Sequence, residues 1–169
     1  MMTSNFQNTG PITGLPSDLR ALVAQSSLLN LALHTVAETD CPKSFSSASG
    51  ETPLSGPMML TLTSYAYAIG IFGSRDIEST IHKDPTLRYI CARQYPQWQD
   101  IRRFRRVHRD LVQATLGSLL TSLCVYYVLP AHPQLTANIP ASEIDGQIRA
   151  AAAGRIEAAI IMDAVDADI

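Results

Sequence analysis

Apolar residues recur along this chain three and four apart, and no segment keeps the strict alternation of a half-buried strand. Leu19, Leu22, Val23, Leu28, Leu29, Leu31 and Leu33 predict a first helix. It starts at Pro16-Ser17-Asp18, with proline in the first turn and an acid at the positive end of the dipole, and runs to about Val36. Residues 39–56 are rich in Ser, Pro and Gly and predict a loop. Met58 to Ile71, opened by Pro57 and ended by Gly70 and Gly73, is apolar on nearly all sides and predicts a buried helix. Ser74 predicts the N-cap of a third helix, Arg75 to His82, with Asp76 and Glu78 in its first turn. Asp84-Pro85 begins a short helix to about Cys91, and Gln94-Tyr95-Pro96 predicts a break.

A long helix is then predicted from about Gln97 to Tyr127, its inner stripe continuing through Leu111, Thr115, Leu119 and Leu123. Pro130, Pro133 and Pro140 predict an extended connection. A last helix begins at Ser142-Glu143 and is carried by Ile144, Ile148, Ile156, Ala159 and Ile160, with Gly154 weakening it. Asp163, Asp166 and Asp168 read as acids of a fraying end. The fold class is all-α, a compact bundle of five to six helices with one long helix in its C-terminal half. The expected organisation is a disordered N-terminus (1–14), a helical domain (15–129), and a linker with an Ala-rich helix and acidic tail (130–169). A chain of 169 residues buries roughly 70% of its unfolded surface, enough for a core without disulfide or metal staples.

Charge sharpens this picture at one place. The chain carries a net charge of −2. Residues 88–109, however, hold seven arginines against Asp100, a local balance of +6. Residues 141–169 hold six acids against Arg149 and Arg155, a balance of −4. Within the long helix, Arg102, Arg105, Arg106 and Arg109 fall inside an arc of about 100°, and Ile101, Phe104, Val107, His108 and Leu111 lie opposite. One face is built to enter a core and the other to meet phosphates or base edges with guanidinium groups. Paired Arg105→Ala and Arg106→Ala changes are therefore expected to keep the fold and weaken binding. The uncharged run 111–131 after the arginines resembles a positive-inside anchor. Gln113, Thr115, Ser118, Thr121, Ser122 and Pro130 interrupt it, and a buried helix of a soluble bundle is the reading preferred over a membrane span.

Other chemistry is sparse. Cys41, Cys91 and Cys124 form no CxxC pair, which fits a reducing cytoplasm, and no secretory signal pattern follows Met1. His34, His82, His108 and His132 are scattered without metal-ligand spacing. No phosphate loop, dinucleotide fingerprint or nucleophile elbow is present, so no cofactor, metal or small-molecule substrate is expected. Tyr89, Tyr95 and Trp98 surround the arginines and read as wedges between helices rather than base-stacking platforms. The Ser74–Glu78 segment followed by the Gln97 helix has the look of a helix-turn-helix with a lengthened connector.

Several motifs in one order carry a family resemblance. Leu15-Pro16-Ser17-Asp18-Leu19 comes first, then Pro57-Met58-Met59-Leu60 with Tyr65-Ala66-Tyr67-Ala68-Ile69-Gly70. Ser74-Arg75-Asp76-Ile77-Glu78, Leu87-Arg88-Tyr89-Ile90 and Tyr95-Pro96 follow, and Ile101-x-x-Phe104-Arg105-Arg106-x-His108 closes the pattern. From about Leu15 to Leu120 the chain resembles the N-terminal helical domain of bacterial insertion-sequence transposases of the DDE type. That resemblance implies a DNA-binding domain placed ahead of an RNase H-like domain whose three carboxylates hold two metal ions. The apolar strand ending in Asp-Gly-Thr, which carries the first catalytic acid, is not seen here. Ala159-Ile160-Ile161-Met162-Asp163 echoes it but lacks Gly-Thr and reads as a helix.

The expectation is a cytoplasmic, non-catalytic protein that contacts duplex DNA through Arg75, Arg102, Arg103, Arg105, Arg106 and Arg109. The alternatives are a homodimeric helical interaction module, paired through 111–129 and the terminal helix, and a truncated transposase relic without DNA binding of its own.

Overall fold

A computed structural model describes residues 15–50, 52–136 and 139–167. The expected disordered N-terminus (1–14) and Asp168 lie outside the described residues. The fold is all-α apart from one small strand pair, as the periodicity predicts.

The first predicted helix is split. A 3₁₀ turn, Leu19–Ala21, is capped by Asp18, whose carboxylate accepts the Arg20 amide at 2.9 Å and pairs with the Arg20 guanidinium at 2.8 Å. That pair holds the Asp18 carboxyl below its ordinary range. Ala24 is extended (φ −57°, ψ 144°), and α1 (Gln25–Ala37) starts only after it. The predicted loop holds β1 (Ser44–Phe45) and β2 (Leu54–Ser55), an antiparallel pair. Gly56 follows at once and opens α2 (Gly56–Ala68). A Cβ there would collide with the Pro42 carbonyl, so only glycine lets the hairpin turn directly into the helix.

Every residue of α2 except Pro57 is buried, as expected of a helix without a polar face. It is the hub of the molecule, with α1, α4 (Pro85–Cys91), α5 (Trp98–Val107), α6 (Arg109–Leu123) and α9 (Ala141–Ala167) packed around it. After α2 the chain turns at Gly70, whose φ of 86° favours glycine, and enters α3 (Ser74–Ile81). Asp84 caps α4 by accepting the Thr86 and Leu87 amides at 2.7 and 3.2 Å, as the Asp-Pro pair predicts. Between α4 and α5, Ala92, Arg93 and Tyr95 all take positive φ (48°, 71° and 42°), a sharp reversal made without glycine.

The predicted 97–127 helix is not one rod. His108 (φ −113°, ψ 34°) separates α5 from α6. A π-helical turn, Cys124–Val128, then leads to two short helices, α7 (Leu129–Ala131) and α8 (Pro133–Thr136). Residues Arg109–Ala131 are long and apolar enough, by length and composition, to cross a membrane. In this fold the apolar stripe of Val112, Leu116, Leu119, Leu120 and Leu123 is fully buried, and α6 packs on α1, α2 and α9. The C-terminal helix α9 lies against α6, with Ile148, Ala152, Ile156 and Ala159 in the common core.

Candidate nucleic-acid interface

Four helices build the arginine-bearing side of the molecule. α3 supplies Arg75, α5 and the start of α6 supply the arginine run, and the end of α9 lies beside them. α5 is held by a capping box, in which Asp100 accepts the Gln97 amide at 3.0 Å. Asp100 is buried and also accepts the Ala48 amide, which ties α5 to the β1–β2 hairpin. Ile101 and Phe104 are fully buried, and Phe104 meets Phe45 edge-on at 5.2 Å. His108 is half-buried against the Phe104 ring at 4.9 Å. Val107, expected on the apolar side, is 63% exposed because the break at His108 ends the inner stripe.

The predicted arginines divide into three groups. Arg105 is withdrawn from the outward row: its side chain is buried, and Nη2 donates to Asp163 Oδ2 at 2.6 Å. Its place at the edge of the arc is covered by α9, a partner 58 residues away in sequence that local periodicity does not reveal. Arg75 and Arg103 are exposed but engaged with aromatic faces. The Arg75 guanidinium lies 4.6 Å from the Trp98 ring centre, and that of Arg103 lies 4.7 Å from Phe45. Arg102, half-buried, and Arg106 and Arg109, both exposed, form the third group. They line a groove of about 310 Å³, with Ile160, Asp163 and Ala164 of α9 on the other side. Its lining holds four guanidinium groups and one carboxylate, and that carboxylate is already paired with Arg105.

Asp163 is not a fraying-tail acid, which corrects the expectation for this residue. It is buried, and besides Arg105 it accepts the Ser74 amide at 2.8 Å and the Ser74 hydroxyl at 2.9 Å. Gly73, not Ser74, is the N-cap of α3. The capping oxygen comes from α9, where a carboxylate meets the positive end of the α3 dipole. The buried Tyr67 phenol lies close enough to Arg105 and Asp163 to feel both charges, and burial raises its pKa. Arg105 Nε has no hydrogen-bond acceptor among the described residues.

A second arginine, Arg155, is buried without any sign in the local sequence pattern of what it binds. Arg155 Nη1 donates to the Tyr67 carbonyl at 2.6 Å and to Ser17 at 2.8 Å, and Nη2 donates to Pro16 at 2.7 Å. The Tyr67 carbonyl lies in the last turn of α2, where the helix dipole favours a cation. Burial lowers the Arg155 pKa, and Asp18 opposes that shift. The arrangement clamps α9 to both α2 and the N-terminal segment.

The remaining candidates are quieter. Tyr95 stacks on His82 at 5.8 Å, and Tyr89 stands exposed. Burial pushes the Cys91 and Cys124 thiols up to about 12 and 11, away from reactivity at neutral pH. Among the described residues, no three His, Cys, Asp or Glu side chains cluster closely enough to hold a metal ion.

A family model described as "Transposase domain (DUF772)" matches residues 17–107, from the turn before α1 to the last residue of α5. No curated protein and no solved structure matches the chain.

Proposed function

This chain belongs to the transposase-domain family DUF772, and from that premise we propose that it is a non-catalytic protein that binds duplex DNA through the outward face of α5 and the start of α6. It acts as the N-terminal, DNA-contacting portion of a DDE-type transposase does. The observation that carries this reading is the convergence of Arg102, Arg106 and Arg109 on one groove whose lining carboxylate, Asp163, is already paired with Arg105. Guanidinium groups that make no salt bridge within the described residues are suited to bidentate contact with phosphate oxygens. Arg75 and Arg103, held on aromatic platforms, flank that track.

Titration of a fluorescent random-sequence duplex at low salt tests the reading. The R106A/R109A double variant is expected to keep the helical content of the parent and to lose at least about tenfold in affinity. Equal affinity of parent and variant would remove the function from this face. A second reading is favoured by exposed apolar side chains on α9 and the π-helical turn: Ile161, Met162, Val165, Val125 and Tyr126. These suit a homodimeric interaction module. A sedimentation-defined dimer with no affinity for duplex at low salt would support that alternative in place of DNA binding.

A further inference from the structure

Resting on the DNA-binding reading, we propose that α9 is the second wall of the site. A phosphodiester strand then sits in the groove between α5–α6 and α9, not on the arginine face of α5 alone. The matched family span ends at Val107, so α9 is a contribution of this chain from outside that span.

The walls of the groove are unlike. Arg102, Arg106 and Arg109 form the cationic wall. The α9 wall is formed by the half-buried Ile160 and the small, exposed Ala164, whose methyl group leaves room for an anion beside the arginines. The floor is the buried Arg105–Asp163 pair, which joins the two walls at 2.6 Å and fixes their separation. Because Asp163 also holds Ser74, α3 is locked to the same joint.

At its Arg102 end the groove meets a tighter space. There Asp166 shares a nearly filled cleft with Arg75, Trp98 and Arg102. The Asp166 carboxylate offsets part of the charge of Arg75 and Arg102 there, which leaves Arg106 and Arg109 as the least compensated cations of the groove. A free phosphate and a nucleic-acid backbone share this chemistry, and the measurement must separate them.

Ala164 provides a clean probe. It is exposed on a long helix, and glutamate is a good helix former, so A164E is expected to fold as the parent does. A150E places the same charge at another exposed position of α9, about 21 Å away along the helix. With the full chain and a random-sequence duplex at low salt, A164E should lose about tenfold or more in affinity and A150E less than about twofold. A164R should bind at least as tightly as the parent. Inorganic phosphate at matched ionic strength should compete only weakly. Its complete displacement of duplex at low millimolar concentration would assign the groove to a free anion and overturn the proposal. If A164E and A150E bind alike while R106A/R109A fails, α9 is no part of the site and the DNA-binding reading survives alone. If the parent binds no duplex at all, both fall.

Discussion

Arg105 and Arg106 are adjacent in the chain and opposite in their energetics. Arg106 stands in solvent, where truncation changes stability by no more than about 0.5 kcal/mol. Arg105 is a buried partner of Asp163, and its removal strands a carboxylate in the core with only Ser74 to satisfy it. R105A is therefore expected to cost about 3–5 kcal/mol in urea unfolding, and R106A close to nothing. Equal, small losses for both would show that the pair is not buried in solution. The expectation that both alanines keep the fold does not survive this placement. Asp163 was nonetheless legible. Ile148, Ala152, Ile156, Ala159 and Asp163 are spaced four, four, three and four apart, one continuous inward stripe. A charge at a core position implies a buried partner, and the same logic applies to Arg155. The acidic composition of the chain end masks that periodicity.

At the scale of elements, boundaries set by local chemistry were visible and those set by distant chain were not. The Asp84-Pro85 start of α4 and the all-round burial of α2 follow from residues within one or two turns. The break at His108 does not. Its surroundings of Phe45 and Phe104 come from the hairpin and α5, and helical propensity alone runs straight through it. The hairpin itself has strands of two residues, too short for an alternating pattern to register. α9 offers a direct check. Gly154 lies mid-helix and exposed, and a Cβ there meets nothing within 4 Å. G154A is expected to raise the stability of the whole protein by about 0.5–1 kcal/mol, read as a higher unfolding midpoint. A destabilised variant would mean that α9 is not a continuous helix or that another surface occupies that side.

The whole molecule folds its charge asymmetry onto itself. The acidic end of the sequence meets the arginine segment through Asp163 and places Asp166 in the cleft with Arg75 and Arg102. What remains uncompensated is a short cationic track on a chain of net charge −2. At about 0.1 M salt, screening over roughly 10 Å makes this local track, not the net charge, what a polyanion meets. The resemblance and the arginine arc pointed to this side of the molecule. The division of six arginines into a buried joint, two aromatic-held flanks and three groove residues required the fold.

The central claim is that Arg102, Arg106 and Arg109 neutralise phosphates of duplex DNA, and the salt dependence of binding tests it most directly. The logarithm of the association constant plotted against the logarithm of salt concentration should fall with a slope of about −3, and R106A/R109A should flatten it to about −1. A slope near zero, or one that the double variant leaves unchanged, would contradict the account.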